Sequence, residues 1–135
     1  MAVPVVSLAP PEAPVFIHHY EYRSRMGRGE GPDPTCDGWI RERTTLPRLD
    51  APTMIGRLDA WWPTAFGLDP RPRPMATISF TAELLADPAS LDPAQPLRYR
   101  SRMAALPQGF FVELRELWQS DRPVALNQQT FVVIK

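Results

Sequence analysis

One cysteine, Cys36, stands in a chain of 135 residues, so no internal disulfide framework is available and a reducing compartment suits the chain. Histidine is almost as scarce. The two present, His18 and His19, are adjacent, and adjacent strand residues point to opposite faces, so both cannot serve one site. With that inventory no spacing resembles a zinc site. Excess charge is also missing: fifteen basic and fifteen acidic side chains cancel, which argues against bulk binding to nucleic acid or an anionic membrane. Residues 1–9, MAVPVVSLA, are apolar but short, lack a basic leader and contain Pro4. Neither a signal peptide nor a membrane-inserted segment is expected, and the cytoplasm is the default location. No Gly-x-Ser-x-Gly elbow occurs, and Ser24, Ser101 and Cys36 lack an obvious base partner, which sets nucleophilic catalysis aside.

What is present bounds the chain to one domain. A chain of this size can bury roughly two-thirds of its unfolded surface, enough for a core without staples. Twelve of the seventeen prolines cluster in 4–14, 32–34, 70–74 and 88–96, marking an extended leader over 1–13 and loops within a domain over 14–135. No internal repeat or dividing linker is visible.

The segment 49–63, LDAPTMIGRLDAWWP, predicts the one long helix. Asp50 is a good N-cap, and Pro52 sits in the first turn, where a missing N–H costs nothing. Ala51, Met54, Ile55, Leu58, Trp61, Trp62, Ala65 and Phe66 recur at helical spacing, and Gly67 is a terminator. Pro63 cannot donate to the carbonyl of Asp59, so a kink or break is expected beside that carboxylate, freeing backbone groups for a ligand or water. Asp59 has two readings: a residue of a site at the break, or a carboxylate that merely faces solvent.

The rest reads as strands. Residues 15–24 and 38–45 are rich in β-formers and precede the helix. After it come four period-2 runs, over 76–84, 97–105, 110–118 and 124–134, which predict an antiparallel meander. In 76–84, Ile78, Phe80, Ala82 and Leu84 alternate with Thr77, Ser79, Thr81 and Glu83. In 110–118, Phe110, Val112, Leu114 and Trp118 alternate with Phe111, Glu113 and Arg115. One antiparallel sheet curling around one helix buries both apolar faces economically. That predicts an α+β hot-dog domain, the alternative being a two-layer α+β domain with a flatter sheet.

Polar residues in apolar strands are the other candidates. Thr77 and Gln129 interrupt such strands, and a buried amide at Gln129 would need partners. The bland reading of each is a strand residue facing water, and Thr77 shares its parity with Ser79 and Thr81. Arg98, Arg100 and Arg102 occupy one strand face, read as a solvated face paired with Glu113 and Glu116. Arg71 and Arg73, in the loop PRPRP at 70–74, are equally suited to phosphates or to solvent.

Taken together, RLDAWWPTAF (57–66), MATISF (75–80), GFFVELRELW (109–118) and RPVALNQQ (122–129), preceded by FIHHYEYR (16–23), resemble successive segments of the C-terminal half of the acyl-CoA thioesterase II family, the double-hot-dog thioesterases. The resemblance covers roughly 14–135. It implies an Asp in the helix, a Thr at the head of the next strand and a Gln in the last strand, falling on Asp59, Thr77 and Gln129. It implies hydrolysis of an acyl-CoA thioester by a positioned water, without a covalent intermediate and without any cofactor beyond the coenzyme A of the substrate. Trp61 and Trp62 would border the acyl channel and narrow or close it, and Arg71 and Arg73 would meet the phosphates of coenzyme A. Backbone N–H groups near the Pro63 break would polarise the thioester carbonyl. Family members carry two hot-dog repeats whereas one is seen in this sequence, so a homodimer, or a dimer of dimers, is expected in place of the fused pair. The rivals are a hot-dog dehydratase or hydratase, for which no His follows Asp59, a silent hot-dog protein that binds acyl-CoA or a partner protein, and a structural oligomer.

Overall fold

The structure, a computed structural model, describes residues 14–24, 35–67, 73–105 and 107–134. The leader over 1–13 and Arg71 lie outside these residues. Strands β1 (Tyr20–Ser24), β2 (Thr35–Glu42), β3 (Met75–Leu84), β4 (Leu97–Ala105), β5 (Phe110–Gln119) and β6 (Arg122–Val133) form one antiparallel sheet in the order β1-β2-β4-β5-β6-β3. One α-helix, α1 (Ala51–Asp59), covers the inner face. This is the α+β hot-dog architecture that the patterning predicts.

Antiparallel partners share a face of the sheet, so the register defines the core. Tyr22 pairs with Ile40, Ile40 with Leu97, Tyr99 with Leu117 and Leu117 with Ala125, and every one of these side chains is buried. Leu49, Met54 and Leu58 of the helical segment complete that core. Asp50 caps α1 as expected, its Oδ1 accepting the N–H of Thr53 at 2.9 Å. Ile55 is 42% exposed, outside the buried stripe.

Four expectations are corrected. Residues Val15–His19 form a 3-10 turn rather than the start of a strand. The pairing of β1 ends with the Arg43 N–H on the His19 carbonyl at 2.9 Å, just past Tyr20 opposite Glu42, and upstream of it the segment bonds locally, Ile17 N–H to Pro14 C=O at 3.1 Å. The apolar spacing that runs on to Phe66 is not helical: the break expected beside Asp59 ends the helix there, and a separate 3-10 turn spans Thr64–Gly67 after Pro63. The last four strands are not a simple meander, because β3 pairs with β6 at the sheet edge while β4, β5 and β6 follow one another. In β5 the buried set is Phe111, Glu113, Arg115 and Leu117, with Phe110, Val112 and Leu114 on the outer face. Glu113 therefore cannot pair with the outer-face arginines; Arg98 makes a two-pronged bond to Asp37 instead, at 2.9 and 2.7 Å.

After Ala60 the chain turns inward. Trp61 is 3% exposed and stacks on Tyr99 with ring centroids 4.3 Å apart, while Tyr22 meets it edge-on at 5.4 Å. Gly38 makes this possible, since a Cβ there would lie 2.5 Å from Cη2 of Trp61.

Candidate active site

Asp59 is the last residue of α1, and β6 passes beneath it carrying Gln129 on the inner face. Gln129 is 2% exposed. Its Nε2 donates to Asp59 Oδ1 at 3.2 Å and to Thr77 Oγ1 at 2.7 Å. One buried amide thus joins the three residues picked out from the sequence. An anionic Asp59 accepts only, so the group facing it must be the amide nitrogen. Thr77 spends its oxygen as an acceptor, which leaves the hydroxyl proton to be donated outward. Asp59 and Thr77 are both exposed, so the two reach solvent while the amide between them does not.

The position of Thr77 depends on a β-bulge. Thr77 pairs with Phe131 and Ser79 with Thr130, so β3 spends two steps where β6 spends one. The extra residue reverses the alternation. Thr77 shares the inner face with Phe80, which pairs with Gln129, while Ser79 and Thr81 face outward. Parity along 76–84, which favours a water-facing Thr77, fails at this bulge.

The break after Asp59 is held from the sheet. Tyr22 Oη donates to the carbonyl of Ala60 at 2.8 Å. Arg115 Nη1 donates to the carbonyls of Leu58 at 3.0 Å and Asp59 at 3.5 Å. The acceptor freed by Pro63 is therefore taken by a guanidinium rather than offered to a ligand. Glu113 binds Arg115 at 2.9 Å, and its other oxygen accepts the N–H of Thr64 at 2.5 Å. That N–H is consequently not available to polarise a substrate carbonyl. The hydroxyls of Thr64 and Ser101 meet at 2.5 Å. On the helix itself, fully buried Arg57 is bound by Glu42 through Nε at 3.1 Å and Nη2 at 2.5 Å. Burial raises the Glu113 carboxyl, opposed by the guanidinium of Arg115. Sequence reasoning misses Glu113 and Arg115 as residues of this cluster; the one signal for them is two charges at the parity of Phe111 and Leu117.

The remaining candidates fall elsewhere. Trp62 is half-buried, 4.8 Å from Trp61 between ring centroids, and Arg73 is exposed just before β3. His18 and His19 are exposed in the first 3-10 turn. Cys36 is buried, and burial pushes its thiol up to about 12, far from a reactive thiolate. Ser24 and Ser101 are buried on the inner face. Among the described residues no group of three or more His, Cys, Asp or Glu side chains is arranged to hold a metal ion, and no helix is long and apolar enough to cross a membrane. A cavity of about 370 Å³, lined by Thr35, Asp37, Arg100, Arg102, Leu114 and Glu116, lies apart from the Asp59 cluster.

Known structures repeat this architecture. A conserved hot-dog protein of unknown function from Alicyclobacillus acidocaldarius is 25% identical and superposes with a TM-score of 0.85, over 98% of this chain and 51% of that one. A candidate thioesterase II from Thermobifida fusca is 22% identical with a TM-score of 0.70, over 100% of this chain and 56% of that one. The PaaI protein of the E. coli phenylacetic acid degradation operon is 12% identical with a TM-score of 0.59, over 76% of this chain and 75% of that one. The chain spans about half the length of the first two. No curated protein matches the sequence. The sequence matches the family described as the acyl-CoA thioesterase C-terminal domain over residues 2–133. With a hot-dog fold around it and the match running almost end to end, the chain belongs to the acyl-CoA thioesterase C-terminal domain family.

Proposed function

We propose that this chain is a thioesterase module that hydrolyses an acyl-CoA thioester by direct attack of water. The observation that carries the reading is the amide of Gln129, which holds the Asp59 carboxylate and the Thr77 hydroxyl together at 3.2 and 2.7 Å. A water bound between the two exposed groups would lose its proton to Asp59 as its oxygen forms the new bond to the thioester carbon. The C–S bond then breaks, coenzyme A leaves as the thiolate, and the proton held by Asp59 returns to that sulfur. Thr77, with its proton directed outward, orients the water or the carbonyl oxygen. This scheme uses no cofactor beyond coenzyme A itself.

Other roles follow from placement. Trp62 would meet the acyl chain, with Trp61 behind it in the core, and the exposed Arg73, with Arg71, would meet the phosphates of coenzyme A. Asp59 and Thr77 are open in a single chain, and the relatives are about twice as long, which supports a second hot-dog unit over this face. That unit would be a second copy, in a homodimer or a dimer of dimers, with the domain spanning 14–135 and the cytoplasm as its location. The same openness favours one other reading, a silent hot-dog that binds acyl-CoA or a partner protein.

The test is release of free coenzyme A from a panel of acyl-CoA thioesters by the purified protein and by Asp59→Asn. Loss of such a base is expected to lower kcat by about 10²–10⁴-fold. An Asp59→Asn protein as active as the native one sinks the assignment. Binding of thioesters with no turnover by the native protein supports the silent reading instead.

A further inference from the structure

We propose that the buried Arg115–Glu113 pair is a positioning device for Asp59, setting where the carboxylate stands by gripping both ends of the chain break that follows it. The proposal rests on the reading of Asp59 as the base.

The argument begins with the break. Pro63 leaves the carbonyl of Asp59 without a helical donor, and α1 ends there. Arg115 supplies the missing donor to Asp59 and to Leu58, placing a cation at the negative end of the helix. Four residues after Leu58 and Asp59 the helix would have reached Trp62 and Pro63; the chain instead turns into the core and restarts as a 3-10 turn at Thr64. Glu113 holds that restart through the Thr64 N–H. Arg115 and Glu113 stand two residues apart on one face of β5, and Arg115 Nε donates to Glu113 Oε2 at 3.0 Å. A single rigid strand thus clamps residue 59 on one side and residue 64 on the other.

The same strand sets the second partner. Glu113 is the direct cross-strand neighbour of Gln129, and Arg115 that of Asn127. Asp59, through its carbonyl, and Gln129, through its strand pairing, are therefore referenced to the same two residues of β5. The contact of 3.2 Å between the amide and the carboxylate inherits that alignment. Arg115 is 1% exposed and Glu113 0%. Burying an ion pair this completely is a poor device for stability, because well-packed apolar residues of similar size often do as well or better. Where a 1 Å misplacement of a reacting group can cost about 10²-fold in rate, geometry is the better reason.

The test measures thioester hydrolysis by Arg115→Lys, Glu113→Gln, Asp59→Asn and the double variant Asp59→Asn/Arg115→Lys, each checked for folding by its urea midpoint. Lysine keeps the charge but cannot reach Glu113 and two carbonyls with a forked group. Arg115→Lys is expected to lower kcat by about 10–100-fold while KM changes by less than about threefold. In the Asp59→Asn background the same substitution should cost nothing more, because its effect passes through Asp59. A residue important only for folding would cost the same in both backgrounds, and that result overturns the proposal. If Arg115→Lys does not fold, Glu113→Gln decides, since it keeps an acceptor for Thr64 and removes the charge; about a tenfold loss of kcat is expected. Native kcat in every folded variant of the pair, with Asp59→Asn impaired, overturns the positioning role alone. A fully active Asp59→Asn, or no turnover by the native protein, overturns the Asp59 reading and this one with it.

Discussion

Replacing Gly38 by alanine adds one methyl group where two parts of the fold meet. The new Cβ would overlap the backbone carbonyl oxygen of Arg23, stand 2.5 Å from Cη2 of Trp61 and 3.1 Å from Cα of Ser24. Two of those three atoms are backbone of β1, which is laddered to β2 with Ser24 opposite Gly38, so they cannot swing aside. The third belongs to an indole stacked on Tyr99 and held edge-on by Tyr22. Overpacking of this kind costs about 1–3 kcal/mol, and the loss of glycine's freedom in the unfolded chain returns about 0.4–1 kcal/mol. With backbone taking most of the clash, the upper half applies, and a net loss of about 2 kcal/mol is expected. Gly56 is the control. A Cβ there meets the hydroxyl of Tyr20 at 2.7 Å, the far end of a side chain that can move, and alanine gains about 1 kcal/mol of helix propensity. Urea unfolding followed by tryptophan fluorescence separates the two. With a slope of about 1–3 kcal/mol per molar, Gly38→Ala should unfold about 1 M earlier, and Gly56→Ala near the native midpoint. A native midpoint for Gly38→Ala, or a larger loss for Gly56→Ala, refutes the steric argument.

Thr77→Val keeps the shape but removes the acceptor that orients the Gln129 amide, so kcat should fall by about 10–10²-fold in the coenzyme A release assay; native kcat would remove Thr77 from the site. Stability should fall at alkaline pH. Burial raises the Cys36 thiol from 9.0 to about 12 and lifts the phenols of Tyr22 and Tyr99 above 10.0. Each is an acid whose neutral form the fold prefers, so its stabilising contribution is complete below the unfolded pKa and is lost as pH rises toward the folded one. The thermal midpoint is therefore expected to decline from about pH 9 upward, with Cys36→Ala delaying the onset; a midpoint constant to pH 11 contradicts the burial of these groups.

Much of the candidate site is legible in the sequence because its signals are local. Asp50, Pro52 and Pro63 are capping and breaking residues whose effects reach one turn, and they correctly bracket a helix with Asp59 at its end. Apolar spacing alone overstates the length of that helix, since Trp61 and Trp62 continue the spacing yet lie past its end, Trp61 stacked on Tyr99 in the core. Gln129 stood out as an amide in an apolar strand. Thr77 was harder: its alternation with Ser79 and Thr81 points it to water, and the bulge that reverses it is a matter of pairing with β6. From sequence Glu113 reads as a surface partner for arginines, because charge in a strand is usually solvated. Only the packing of β5 beneath the helix end gives two buried charges their partners.

The sequence by itself determined most of the elements, the alternation that makes a sheet around one helix, and the candidacy of Asp59, Thr77 and Gln129. These depend on spacing and on the backbone chemistry of proline and glycine, which act within a few residues. The tertiary structure alone decided strand order, which face of β5 is buried, and where Arg115 and Glu113 spend their charge. Those depend on contacts between residues far apart in the chain, such as Arg115 with Leu58 and Gln129 with Asp59. No periodicity encodes such a contact, because its energy exists only when the sheet has closed over the helix and water has left.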